Sequence, residues 1–365
     1  MGKKRLTVFG AELAPVTTVA QLERVLGRCA KANQSAVVFG EPGVGKSAAV
    51  SAMALKAGRK LFSIHGPHHG PEDFKFPIVD TAEKLVHWVQ TVFPSDQEWD
   101  GIVFIDEFGF MPPAVQSALL GLFHSGERRI GTDYVLPAKA SVIGASNLMT
   151  DGCGRTISPM VLRPNKYLFD PDTSQSLAAR TYNDEFCAWL QAQNYPAGDD
   201  VISFVRCYPD RLHDYAADRP ADSPTPRGWA EVAQLLDPGI HPDDNLHVAG
   251  KIGPSVADQF CAHRELTVRI DPIAVVNHPE TSTVPENEPA LLWATVGAVA
   301  AVAAKATAKQ KEGILKYLLR CPAEYAVYGV VDAIGRSKDK GMLGGAVGAK
   351  FLDKFGPLMA TKAPD

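Results

Sequence analysis

The chain is predicted to be an α/β protein, with a parallel sheet covered by helices over residues 1–172 and an all-helical region over residues 173–365. Three observations predict it. Short apolar runs alternate with helix-patterned segments through the first half. One of those runs leads into a glycine-rich segment, residues 40–47. After Asp172 the apolar runs give way to helical spacings separated by loops rich in Pro, Asp and Gly. Strands alternating with helices imply parallel pairing, because each crossover needs a helix to return the chain.

Strands are expected at residues 36–39 (AVVF), 60–64, 101–106 (GIVFID) and 140–145, with a fifth at 167–169. Helices are expected at residues 47–56 and 113–123, the second from the spacing of Val115, Leu119, Leu122 and Phe123. In the second half, helical patterns cover residues 183–193, 201–208, 228–236, 255–265, 291–304 and 313–319. Residues 218–226 and 237–245 read as loops.

Composition narrows the function. The 365 residues are 45% hydrophobic and 21% charged, enough to bury a full core without metal or disulfide staples. The net charge of -4 lacks the basic balance of a nucleic-acid-binding chain. The six cysteines (Cys29, Cys153, Cys187, Cys207, Cys261 and Cys321) form no CxxC pair, which argues against zinc and a disulfide framework and for reduced thiols in a cytoplasmic protein. The basic N-terminus has no apolar run and is not expected to be a signal peptide. The most apolar stretch, residues 289–304, falls short of the ~20 residues that span a bilayer and is expected to be a buried helix.

Residues 40–47 read Gly40-Glu41-Pro42-Gly43-Val44-Gly45-Lys46-Ser47 and fit GxxxxGK[ST], the phosphate-binding P-loop. A strand precedes it and the helix over residues 47–56 follows, as the pattern requires, with Ala48 counted among the nucleotide-binding residues. Backbone amides of the glycine-rich turn, with the helix N-terminus, cradle phosphates. Lys46 places a cation on the β- and γ-phosphates, and Ser47 offers a hydroxyl to Mg²⁺. About 60 residues on, an apolar strand ends in Asp106-Glu107. Asp106 is expected to hold the Mg²⁺ shell through water, and Glu107 to polarise the attacking water. The expected cofactors are therefore ATP or ADP with Mg²⁺. Residues 142–147 form a second apolar run ending in a polar residue, Asn147, placed to orient that water or touch the γ-phosphate. Arg163 and Arg227 are candidates for stabilising charge in the transition state. His65, His68 and His69 lack matching Cys or acid spacing and read as a polar loop rather than a metal site. Cys153 has no accompanying His or Asn that would make it a nucleophile.

In this order the motifs resemble those of MoxR-type AAA+ ATPases over nearly the full chain. Further matching stretches are residues 72–77, 112–120, 129–137, the TPRGW segment at 225–229 and residues 321–325. The resemblance implies an AAA+ core, a helical lid and a helical tail. It implies a homo-oligomeric ring, commonly a hexamer, with ATP at subunit interfaces. It also implies Asn147 as sensor 1, Arg227 as sensor 2 and Arg163 as an arginine finger acting in trans. It implies a chaperone-like remodeller of a protein substrate, in many cases with a von Willebrand factor A domain partner. Two departures stand out. Phe108-Gly109-Phe110 replaces a short Asn-Arg element after the acidic pair, and Pro164 follows Arg163 where Phe is usual, which leaves Arg129 and Arg155 as reserve fingers. Residues 66–70 and 128–134 are expected to present the moving surface. Two alternatives share this core: an ATP-driven DNA motor or loader, and a nucleotide-binding scaffold with little turnover. The acidic balance and the lack of an aromatic-plus-basic tract disfavour the first.

Overall fold

The computed structural model describes residues 13–74, 76–89, 92–130, 134–148, 163–171, 177–339 and 341–360. The chain divides into two compact units, Met1–Glu185 and Phe186–Asp365.

The first unit is built on a six-stranded sheet, parallel throughout. In chain order its strands are β1 (Pro15–Val16), β2 (Ala36–Phe39), β3 (Lys60–His65), β6 (Gly101–Asp106), β9 (Ser141–Ser146) and β10 (Asn165–Phe169); in space they run β1-β10-β2-β9-β6-β3. The central strands β2 and β9 are buried at every position, and β6 at all but Asp106. This explains their continuous apolar runs, since helices cover both faces. β3 lies at an edge and mixes exposed with buried residues.

Helix α1 (Val19–Lys31) buries Leu22, Leu26, Cys29 and Ala30, a single stripe at helical spacing. The Thr18 side chain caps it by accepting from the Gln21 amide. Helix α2 (Lys46–Lys56) buries Ala49, Val50, Met53 and Ala54. The expected single helix over residues 113–123 is instead an α-helix, α4 (Pro113–Leu119), that tightens into a 3₁₀ turn over Leu120–Phe123. The tighter turn brings Gly121 against the Arg129 carbonyl, where a Cβ would stand 2.3 Å away. Between β3 and β6 lie a single turn, α3 (Pro71–Phe74), and an antiparallel hairpin of β4 (Phe76–Asp80) and β5 (Leu85–Val89). A second, shorter hairpin pairs β7 (Arg129–Ile130) with β8 (Tyr134–Val135).

Helix α5 (Leu177–Gln193) runs across the boundary at Glu185. The second unit continues with α6 (Gly198–Cys207), α7 (Pro226–Leu235), α8 (Asp244–Ile252), α9 (Pro254–Val268), α10 (Pro272–Asn277), α11 (Pro289–Val302), α12 (Ala308–Arg320), α13 (Ala323–Ser337) and α14 (Gly345–Ala360). Four of these begin with proline, whose missing amide costs nothing in a first turn. The apolar α11 packs against α6, α9 and α13 and is buried at Leu292, Val296 and Val299. Among the described residues no helix is long and apolar enough to cross a membrane.

Candidate functional site

The P-loop follows the C-terminal end of β2, and Asp106 ends β6. One strand, β9, lies between them and ends beside Asn147. The chain therefore delivers Lys46, Asn147 and Asp106 to the carboxyl edge of three adjacent strands, where open α/β sheets bind ligands.

Two backbone features make the loop possible. Gly43 and Gly45 hold φ of 75° and 97°, in the region side chains disfavour. Gly40 lies against the end of β10, where a Cβ would come within 2.5 Å of the Phe169 carbonyl oxygen. Lys46 opens α2 and is buried. Its Nζ donates to the carbonyls of Gly40 (2.9 Å) and Glu41 (2.8 Å) and to Asn147 Oδ1 (2.8 Å). Ser47 Oγ donates to Asp106 Oδ2 at 2.6 Å, and Asp106 Oδ1 accepts from the Glu107 amide at 3.0 Å. Val44 is buried, Glu41, Pro42 and Asn147 are half-buried, and Ala48 is exposed on α2.

Glu107 has a left-handed backbone, φ 53° and ψ 36°. A non-glycine residue held there is sterically costly and is most common at functional sites. The cause lies one residue on. Phe108 is fully buried, packed edge-on against Phe39 (5.7 Å) and against Phe123 (6.5 Å). Phe108-Gly109-Phe110 forms a 3₁₀ turn whose aromatic peg fixes the direction of the chain after Glu107.

His65, which the sequence reads as part of a polar loop, lies beside the acidic pair, a contact the sequence did not predict. It pairs in register with Asp106 across β3 and β6. Its Nε2 lies 3.5 Å from Glu107 Oε2, and its ring is 4.4 Å from that of His68. His69 instead contacts Asp73 (Nδ1 to Oδ2, 3.2 Å). Among the described residues no group of three or more His, Cys, Asp or Glu side chains is placed to hold a metal.

The arginines are placed differently. Arg163 is exposed, and its Nη1 donates to the Leu120 carbonyl (3.0 Å). It precedes Asn165, which pairs with Ala36 at the start of β2. It therefore stands at the end of the sheet opposite the P-loop, on the order of 13 Å of strand rise away. Arg227 lies in the second unit, exposed on the first turn of α7, whose Thr225 cap accepts from the Gly228 amide at 3.2 Å. Arg129 is exposed on β7, while Arg155 and Cys153 lie outside the described residues. Of the expected moving loop at 128–134, residues 131–133 also lie outside them. Its ends are anchored, Arg128 by the carbonyls of Pro137, Ala138 and Ala140, and buried Tyr134 by donation to the Pro94 carbonyl (2.9 Å).

A glycine-rich loop, its lysine, a hydroxyl–carboxylate pair and a polar residue on the intervening strand define a P-loop nucleotide-binding fold. Residues 36–163 match the family model of ATPases associated with various cellular activities (AAA). No curated protein matches the chain. Among solved structures, it is similar to a RuvB mutant of Thermotoga maritima, with 14% identity over 76% of this chain and 85% of that one and a TM-score of 0.38. It is also similar to NtrX from Brucella abortus in complex with ADP, with 16% identity over 94% of this chain and 70% of that one and a TM-score of 0.37.

Proposed function

We propose that the protein is a Mg-ATP-hydrolysing ring ATPase of the MoxR type that remodels a protein partner. The observation that carries the ATPase reading is the convergence of Lys46, Ser47, Asp106 and Asn147 at adjoining strand ends. The residues fit the cofactor. Ser47 Oγ and Asp106 Oδ2 are hard oxygen ligands 2.6 Å apart, suited to a Mg²⁺ shell, and Gly40, where a Cβ would meet the Phe169 carbonyl oxygen, lets the loop lie close against β10. Mg-ATP supplies the phosphoanhydride and a divalent charge beside it. Lys46 binds phosphate oxygens by leaving the carbonyls of Gly40 and Glu41. Asn147 keeps Lys46 aimed across the sheet edge. Glu107, directly after Asp106 at the end of β6, is the base that would take the proton of the attacking water. Arg227 senses nucleotide from the lid, for which we assign residues 173–365 together with the tail, the core being residues 1–172.

The ring reading is supported by the placement of Arg163, which is at the wrong end of the sheet to serve its own P-loop. An arginine from a neighbouring subunit would complete the site, as arginine fingers do elsewhere. The MoxR assignment, its hexameric ring included, and a partner with a von Willebrand factor A domain rest on the resemblance of the TPRGW, 72–77 and 112–120 stretches. The test is ATP turnover with and without DNA for the wild type, Lys46→Ala and Glu107→Gln. We expect turnover indifferent to DNA, loss of binding in Lys46→Ala, and retained binding with at least a hundredfold lower turnover in Glu107→Gln, at the low end of general acid–base contributions. Strong stimulation by DNA would replace the remodeller with a motor.

A further inference from the structure

Helix α5 leaves the first unit at Glu185. Two side chains on its first-unit part, Tyr182 and Glu185, stand three residues apart and so share a face. Tyr182 is 2% exposed, and its Oη donates a 2.9 Å hydrogen bond to the Val44 carbonyl, inside the P-loop. Its ring meets Phe169 edge-on, 6.1 Å between centroids at 76°. Phe169 is also the residue whose carbonyl lies against Gly40. Glu185 accepts from the amides of Val19 (2.7 Å) and Ala20 (3.0 Å) in the first turn of α1. One helix face thus touches the interior of the loop, the strand end that backs the loop, and the helix before β2.

The Val44 contact differs from those that Lys46 makes with the loop. Val44 stands between two glycines of positive φ, so its peptide is the part of the loop freest to reorient before folding fixes it. Lys46 holds the carbonyls of Gly40 and Glu41, but it must give these up to meet a phosphate. The Tyr182 bond uses no group that phosphate needs. It forms only when the loop has its folded shape, so a nucleotide that favours that shape also favours the bond, and preorganisation of this kind appears as affinity.

We propose that Tyr182 is a positioning residue for the phosphate-binding loop, and that the Tyr182–Glu185 face of α5 carries the loop's state into the part of that helix that belongs to the second unit. The inference rests on the nucleotide-binding reading of the P-loop. Phenylalanine at position 182 keeps the ring on Phe169 and removes only the hydroxyl.

The test uses full-length wild type, Tyr182→Phe and Glu185→Ala, titrated with a fluorescent N-methylanthraniloyl ADP in the presence of Mg²⁺. Amide hydrogen exchange over residues 186–193 is followed without ADP and at saturation, and KM and kcat for ATP are measured in parallel. Tyr182→Phe is expected to raise the Kd for ADP about three- to tenfold, the worth of one buried hydrogen bond. KM for ATP should rise by the same factor with kcat within about twofold, because the contact serves ground and transition states alike. The ADP-dependent change in exchange over 186–193, present in the wild type, should be lost in Tyr182→Phe even at saturation. Glu185→Ala should keep affinity within about twofold and weaken that change, since the loop contact survives. A Tyr182→Phe protein that melts at a lower temperature but binds ADP as the wild type does would reduce the bond to a structural one and overturn the proposal. Exchange in 186–193 that ignores ADP in the wild type would overturn the transmission step. A wild type that binds no ADP would remove the nucleotide reading itself, and this inference with it.

Discussion

Lys46 and Asn147 are 101 positions apart in the chain and 2.8 Å apart in space, and Ser47 and Asp106 are joined over 59 positions. At this scale the chemistry is set by what each side chain touches. Gly40 is a sharp case. Its neighbour is a backbone oxygen, which cannot rotate away as a side-chain end can. Gly40→Ala is expected to displace the loop from β10 and abolish nucleotide binding at concentrations that saturate the wild type, measured by ADP titration. His263 provides a pH-dependent case in the second unit. It is buried on α9 with Nε2 2.9 Å from Ser203 Oγ, between the rings of Phe204 and Tyr208, and Nδ1 has no hydrogen-bond partner. Burial pushes its pKa down from 6.5 to about 4. The folded chain therefore binds fewer protons than the unfolded chain between those values, so this group's stabilisation is intact above pH 6.5 and lost as pH falls toward 4. The loss amounts to at most roughly 3 kcal/mol. Urea unfolding at pH 7 and pH 5 should show a drop in the wild type that is smaller in His263→Gln, and equal drops would contradict the assignment.

The elements show which parts of this were legible in advance. The P-loop, the strands around it and Asp106-Glu107 are readable because each signal is local: a continuous apolar run followed by glycines or acids. Other elements escape for physical reasons. β4 and β5 expose Ile78 and Val79 on one strand and Leu85 and Val86 on the other, so apolar and polar positions do not alternate as in a half-buried strand. β1 is two residues long and exists by pairing with β10. The start of α8 overlaps the expected loop at 237–245, yet Asp244 opens the helix and accepts from buried Arg264 at 2.6 Å. The contacts of His65 with Glu107 and of Tyr182 with Val44 depend on strand register and on the path of α5, which no local pattern encodes. Close helix packing is similarly hidden. On α12, a Cβ at Gly313 would come 2.1 Å from the Val276 carbonyl of α10. Gly313→Ala must push those helices apart, and the expected cost is about 1–3 kcal/mol, the range for overpacking a core. A urea midpoint unchanged from the wild type would mean that the two helices separate freely.

For the whole molecule, the placement of Arg163 decides whether one chain is a complete enzyme. The parallel register of β10 on β2 puts Arg163 beyond the amino end of β2 and the P-loop beyond its carboxyl end. No side-chain rotation bridges a sheet, so in the proposed role Arg163 serves the P-loop of another copy. Turnover per subunit should then rise with protein concentration and level off as rings fill. A mixing experiment separates this from simple stabilisation by association. Glu107→Gln supplies an intact Arg163 but no base, and Arg163→Ala supplies an intact Glu107 but no finger. Each alone should be nearly inactive. In mixed rings, some interfaces pair the Glu107 of one variant with the Arg163 of the other, and those sites are whole. With random mixing at equal amounts, about a quarter of the sites should be whole, and turnover should recover toward that fraction of the wild type. If Arg163 acted within its own chain, every subunit in the mixture would still lack one group, and mixing would restore nothing.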